Sequence, residues 1–311
     1  MRIVRIIFSA AVVASAASAG LVTTTAAPAA NAAAAVTAAA VNAAGVNAAA
    51  VTAAAVNAAG VNAAAVTAAV VNATAVNYVA LGDSYSSGVG AGDYLSSSGS
   101  CERSADAYPE QWAAANSPAT FTSVACSGAT TADVLSSQVS ALSASTTLVS
   151  ITIGGNDAGF SSVMETCVLS STSTCLNDIA AAETFVADQL PARLDQTLQT
   201  IRADAPSATV IVLGYPDLYD LSKSGLCIGL STQDRVALNQ GADDLDNALQ
   251  AAAGANNDTF ADVRGQFGGH EICDSGSWLH SVDIFAISSS YHPNASGQEQ
   301  GYLPVFTSAA A

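Results

Sequence analysis

Three short runs of β-branched and apolar residues, each closing on a glycine, constrain this chain more than any other feature: "VNYVALG" (76–82), "TLVSITIG" (147–154) and "ATVIVLG" (208–214). Runs of this length without polar alternation read as strands buried on both faces. "TFTSVAC" (120–126) and "DTFADV" (258–263) are weaker strand candidates. Between the strands, Val186, Leu190, Leu194, Leu198 and Ile201 recur at helical spacing, which sets them on one helix face. Strands alternating with helices imply an α/β fold, a parallel sheet with helices on both sides. In such sheets a site collects at the carboxyl ends of the strands, where Ser84 and Asn156 emerge.

The residues able to build a core start only near Val76. Upstream, no charged residue stands between Arg5 and Asp83, and from Val36 to Val76 a valine recurs every fifth position in units such as "VTAAA" and "VNAAG". Five residues advance a helix by about 500°, so successive valines drift around it and make no amphipathic face. Residues 20–75 therefore read as a fluctuating helical or disordered tether. Arg2 and Arg5, the apolar stretch from Ile6 to about Ala17 and Ala17-Ser18-Ala19 have the layout of a secretory signal, giving a signal segment 1–19 and a globular domain 76–308. No stretch downstream is long and apolar enough to span a bilayer, so the expectation is an exported monomer, secreted or held at the cell wall by the tether.

Every acidic residue lies at or beyond Asp83, and the net charge is -17. Loss of Arg2 and Arg5 with the signal makes the mature chain more acidic still. Nucleic acid and anionic lipid surfaces are excluded as electrostatic partners, because no basic stripe exists to neutralise phosphates. Six cysteines in an exported chain, Cys101, Cys126, Cys167, Cys175, Cys227 and Cys273, point to three disulfides, and by counting alone the pairing stays open among fifteen connectivities. No C-x-x-C spacing or complete ligand set suggests a metal, and no cofactor is implied.

Ser84 follows the first strand in "GDSYSSG" (82–88). Alone, Gly82-Asp83-Ser84 reads equally as a capped strand-to-helix turn. A serine becomes a nucleophile only beside a base that takes its proton and donors that stabilise the oxyanion it forms. Three further segments offer these. "CSGATT" (126–131) supplies a backbone N–H at Gly128 with no side chain in front of it. "GGND" (154–157) supplies the neutral amide of Asn156, and "SYHPNASG" (290–297) places His292 just before Pro293-Asn294, the entry to a final helix.

With these four blocks in this order, the sequence resembles the SGNH, or GDSL-type, hydrolase family, in particular its secreted actinobacterial lipases and esterases, over essentially all of 76–306. The resemblance implies a three-layer α/β/α sandwich around a central parallel, flavodoxin-like five-stranded sheet. It also implies Ser84 as nucleophile, His292 as general base, and an oxyanion hole of the Ser84 and Gly128 N–H groups with the Asn156 amide. The family's usual aspartate three residues before the histidine is Ser289 here. The branch lacks that aspartate too, which implies a Ser84–His292 dyad oriented by the carbonyl of Ser289 or Ser290, with Asp283 the carboxylate alternative. The resemblance further implies bridges Cys101–Cys126, Cys167–Cys175 and Cys227–Cys273.

His270 and His280 read as structural or surface residues. The rival α/β-hydrolase fold needs G-x-S-x-G, which is absent from the chain. The expected reaction is hydrolysis of small-molecule or lipid carboxylic esters; a phospholipase or polysaccharide acetylesterase would share the machinery. A different class, an inactive hydrolase-like adhesin displayed on the tether, would keep the same sequence and lack esterase activity.

Overall fold

The computed structural model describes the backbone of residues 52–55 and 64–67 and residues 75–223, 229–283 and 286–311. The chain divides into two units, Met1–Ala73 and Thr74–Ala311. In the first, Thr52–Ala55 and Ala64–Thr67 pair antiparallel with Thr52 opposite Thr67. These two segments of the repeat are thus extended where a helical or disordered tether was expected, as suits β-branched Thr52, Val66 and Thr67. The signal segment and the rest of the tether lie outside the described residues.

The second unit is built on five parallel strands: β1 (Asn77–Gly82), β2 (Thr120–Ser123), β3 (Leu148–Thr152), β4 (Thr209–Leu213) and β5 (Thr259–Ala261). Their order in the sheet is β2-β1-β3-β4-β5. All four pairings are parallel, and the order reverses direction at the β1/β3 boundary. Every residue of β3 is buried, as its unalternating sequence requires of a strand covered on both faces. The edge strands β2 and β5 are short and expose their first residues, which is why their sequences carry the weaker signal.

Two groups of helices enclose the sheet. On one side α2 (Tyr108–Asn116) packs on α8 (Leu303–Ala309), where the rings of Tyr78, Trp112 and Phe306 meet at 5.3–5.5 Å. The other group holds α3 (Thr131–Ser136), α4 (Phe160–Leu169), α5 (Thr172–Asp188), α6 (Leu190–Asp204) and α7 (Thr232–Ala255). The single helix face expected from Val186 to Ile201 is in fact shared by two helices. Pro191 lacks the N–H an uninterrupted helix would need, so the chain turns at Gln189; Val186 ends in α5 and Leu190, Leu194, Leu198 and Ile201 lie on α6, all buried. No helix among the described residues is long and apolar enough to cross a membrane.

Disulfides join Cys101 to Cys126 and Cys167 to Cys175, the pairings the resemblance implies. The second ties α4 to α5. Cys273 is also disulfide-bonded, and Cys227, its expected partner, lies outside the described residues.

Candidate active site

The reversal of strand order opens a crevice at the carboxyl ends of β1 and β3, and three of the four expected segments issue from β2, β1 and β3 side by side. Gly82 closes β1 with φ 123°, a conformation glycine adopts freely, and a Cβ there would stand 2.4 Å from the Thr152 carbonyl oxygen. Gln138 bridges this turn from below, accepting from Gly82 N–H at 2.7 Å and donating to Gly82 O at 2.8 Å. Beyond it, Asp83 caps a single helical turn, α1 (Ser84–Ser87), by accepting from Tyr85 N–H at 3.0 Å. Ser84 thus occupies the first position of a helix, where the backbone N–H has no intrahelical acceptor and stays available to a ligand.

The Asp83 carboxylate is buried and held by three donors: Tyr85 N–H, the Thr152 hydroxyl at 2.7 Å and the Tyr215 hydroxyl. Burial pushes its pKa up to about 6, against the pull of those hydrogen bonds. Tyr215 also stands behind the segment that carries Asn156, since a Cβ on Gly155 would lie 3.6 Å from its hydroxyl. One phenol therefore backs both the Ser84 turn and the Asn156 loop.

Gly128 has φ 78° and open space before it, two residues after the disulfide-bonded Cys126; Ser127 N–H donates to Cys101 O at 3.1 Å across that bridge. The Asn156 amide donates one N–H to Ala129 O at 3.0 Å, which ties it to the Gly128 segment and leaves its second N–H for a ligand. Asp157 fixes the same loop by accepting from Thr131 N–H at 2.8 Å and the Thr131 hydroxyl at 2.6 Å.

His292 arrives from the far end of the chain. Its Nε2 lies 2.7 Å from Ser84 Oγ, and its Nδ1 lies 3.0 Å from the Ser290 carbonyl oxygen. The Ser289 carbonyl instead accepts from the backbone N–H of His292 at 3.2 Å. Asp283 accepts from Ala286 N–H at 3.2 Å, within its own turn. Because Nδ1–H donates to a carbonyl, which can only accept, Nε2 is left unprotonated and facing the serine hydroxyl. The imidazole stays partly exposed, yet its packed surroundings depress its pKa to about 4. Burial is the main cause; His280 adds to it, while the Ser290 and Ser288 carbonyls oppose it.

The residue before His292 carries the strain. Tyr291 has φ 64°, a costly conformation for an aromatic residue. It is clamped by Tyr85, whose hydroxyl donates to Tyr291 O at 2.7 Å, by Tyr219, whose hydroxyl donates to Tyr291 Oη at 3.2 Å, and by the His280 carbonyl, which accepts from Tyr291 N–H at 2.9 Å. His280 has a structural place here, its Nε2 lying 2.8 Å from Gly90 O, and His270 stacks on Trp278 with ring centroids 3.8 Å apart. Asn294 opens the helical run that begins at residue 295 and leads into the last helix, its side chain accepting from Gly297 N–H at 3.0 Å, as expected of a helix entry.

Sequence reasoning did not single out Asp83, Tyr215, Tyr85 or Tyr291 for the site. Their signal was positional: Tyr215 is the first residue after the glycine that ends β4, and Tyr85 and Asp83 flank the serine. Beside Ser84 opens a cleft walled mainly by apolar side chains, among them Phe160, Val186, Leu238 and Leu245. Among the described residues, no group of three His, Cys, Asp or Glu side chains could hold a metal ion.

Residues 80–300 match the model of the GDSL-like Lipase/Acylhydrolase family. The chain is 56% identical over 233 residues to Lipase 1 of Streptomyces coelicolor, which covers 75% of this chain and 86% of that protein. It is 52% identical over 232 residues to a lipase of Streptomyces rimosus, with the same coverage of both. Among solved structures, phospholipase A1 from Streptomyces albidoflavus superposes with a TM-score of 0.74 at 54% identity, over 76% of this chain and 99% of the other.

Proposed function

The chain belongs to the GDSL-like lipase/acylhydrolase family and is a carboxylic ester hydrolase, and from that premise we propose that it is an exported enzyme cleaving lipid-type esters through a Ser84–His292 dyad. The observation that carries the proposal is the 2.7 Å approach of His292 Nε2 to Ser84 Oγ at the mouth of an apolar cleft. In this reading Nε2 takes the Ser84 proton as Oγ attacks the ester carbonyl, and the oxyanion is met by the Ser84 and Gly128 N–H groups and the Asn156 amide. His292 then protonates the departing alcohol, leaving an acyl-enzyme. Water, deprotonated by the same nitrogen, releases the acid and restores Ser84. The Ser290 carbonyl fixes the tautomer throughout, in place of a carboxylate.

Export is supported by the likeness to an extracellular lipase of Streptomyces rimosus, whose solved structure is 52% identical in sequence to this chain. Triacylglycerol and phospholipid esters are both within the proposal, since the relatives include lipases and a phospholipase A1. The test is titration of released fatty acid from emulsified tributyrin and trioctanoin and from phosphatidylcholine vesicles. Release from one of these classes supports the lipid reading; hydrolysis of soluble acetyl esters with no acid released from any lipid overturns it.

The buried imidazole has a further consequence. Only neutral His292 can accept the serine proton, and the depression of its pKa to about 4 keeps it neutral well below the ordinary histidine range. The acid limb of kcat/KM is therefore expected between about pH 4 and 5, below the ordinary histidine value of about 6.5. A pH–rate profile on a soluble nitrophenyl ester checks it; a limb centred near the ordinary value would mean that the imidazole is solvated in the working enzyme.

A further inference from the structure

Gly241 sits in the middle of α7, a helix of 24 residues, although glycine is the poorest helix former after proline. Neither backbone nor packing requires it there. Its φ is not positive, and a Cβ at this position would meet only Ile179 Cγ2, at 4.0 Å. What Gly241 does border is the cleft that begins at Ser84, together with Ala242 on the same helix and Ile179 and Ala182 on α5 facing it.

The cleft has a direction. A Cβ on Gly154 would stand 3.3 Å from Leu245, so the Leu245 end adjoins the loop carrying Asn156. Gly241 lies one helical turn farther out and Leu238 about one more, both on the cleft wall. From Leu245 to Leu238 the seam runs about 10 Å at the helical rise of about 1.5 Å per residue. Helices α5 and α7 run side by side along it, with Thr172 bonded to Ser231 and Asp234 at their outer ends. Small residues at 182, 241 and 242 leave the cleft wall without long side chains along this part of the seam.

We infer that the acyl chain of the substrate lies along the α5–α7 seam and that Gly241 is the residue that lets chains longer than a few carbons pass. This rests on the ester-hydrolase reading above. A short acyl group ends before Gly241 and is indifferent to it, whereas a long one must lie against it. The vacant Cβ position thus sets chain-length specificity at the expense of helix stability.

The test is Gly241→Leu and Gly241→Ala, measured on nitrophenyl butyrate, octanoate and palmitate, with Gly254→Ala as control. Gly254 lies in the same helix with nothing within 4 Å of an added Cβ, and it does not line the cleft. Gly241→Leu is expected to keep kcat/KM on butyrate within about threefold and to lower it on palmitate by about tenfold or more, the scale of a methylene-sized clash in a binding pocket. Gly241→Ala and Gly254→Ala should each raise Tm by about 2–4 °C, but only Gly241→Ala should lower the palmitate-to-butyrate ratio, which decides the matter if the leucine variant does not fold. An unchanged ratio in Gly241→Ala, or an effect that follows the length of the alcohol instead of the acid, overturns the inference. A wild-type protein inactive on all three esters would instead overturn the hydrolase reading itself.

Discussion

Ser84→Ala and His292→Ala are each expected to lower kcat/KM for nitrophenyl butyrate on the order of 10⁴-fold or more, and the double variant to lose little beyond either single one. The equality follows from the geometry. In the proposed mechanism Ser84 Oγ and His292 Nε2, 2.7 Å apart, are partners in one proton transfer, so neither does useful work without the other. Residual activity in all three variants should be similar, because the proposed oxyanion donors and the cleft remain. The three rates, measured beside thermal melts to confirm folding, check this; losses that multiply in the double variant would mean that the two side chains act in separate steps.

Asn156→Ala is expected to reduce kcat by about 10²–10³-fold with little change in KM, the usual effect of removing one oxyanion donor. The split between kcat and KM matters because, in the proposed mechanism, the amide meets charge that exists only in the transition state. Asn156 also donates to Ala129 O, so its removal takes one tie from the Gly128 segment. That segment has separate support in the Cys101–Cys126 bridge and the Asp157–Thr131 contacts, which should confine the effect to chemistry. Steady-state kinetics on a soluble ester will show it; a rise in KM with kcat intact would make Asn156 a substrate-binding residue instead.

The legible parts of the sequence were those where burial is continuous. β1, β3 and β4 each show an unbroken apolar run because helices cover both faces, and their glycines mark where the chain leaves the sheet. β2 and β5 were fainter because an edge strand keeps one side near solvent. Pro191 was the missed signal in the long helical face: spacing alone cannot tell one helix from two that share a buried side. The residues proposed for the chemistry stood out in the sequence because each lies just after a strand or just before the final helical run.

The residues behind them were not legible from spacing. Tyr215 reaches Asp83 across 132 positions, and Tyr85 reaches Tyr291 across 206, so only the folded sheet brings either pair together. The same holds for the orienting carbonyl. Sequence left Ser289, Ser290 and Asp283 open for Nδ1 of His292, and the choice depends on the turn that the left-handed Tyr291 imposes. The cleft was hidden for a related reason, since it forms between α5 and α7, whose pairing no periodicity encodes.

The most direct measurement is intact-protein mass after incubation with a fluorophosphonate bearing a medium-length alkyl chain. A single phosphonyl adduct on the wild-type chain, mapped by peptide fragmentation to Ser84 and missing from both Ser84→Ala and His292→Ala, is the expected result. An adduct on another residue, or undiminished labelling of Ser84→Ala, would contradict the assignment of Ser84 as the nucleophile.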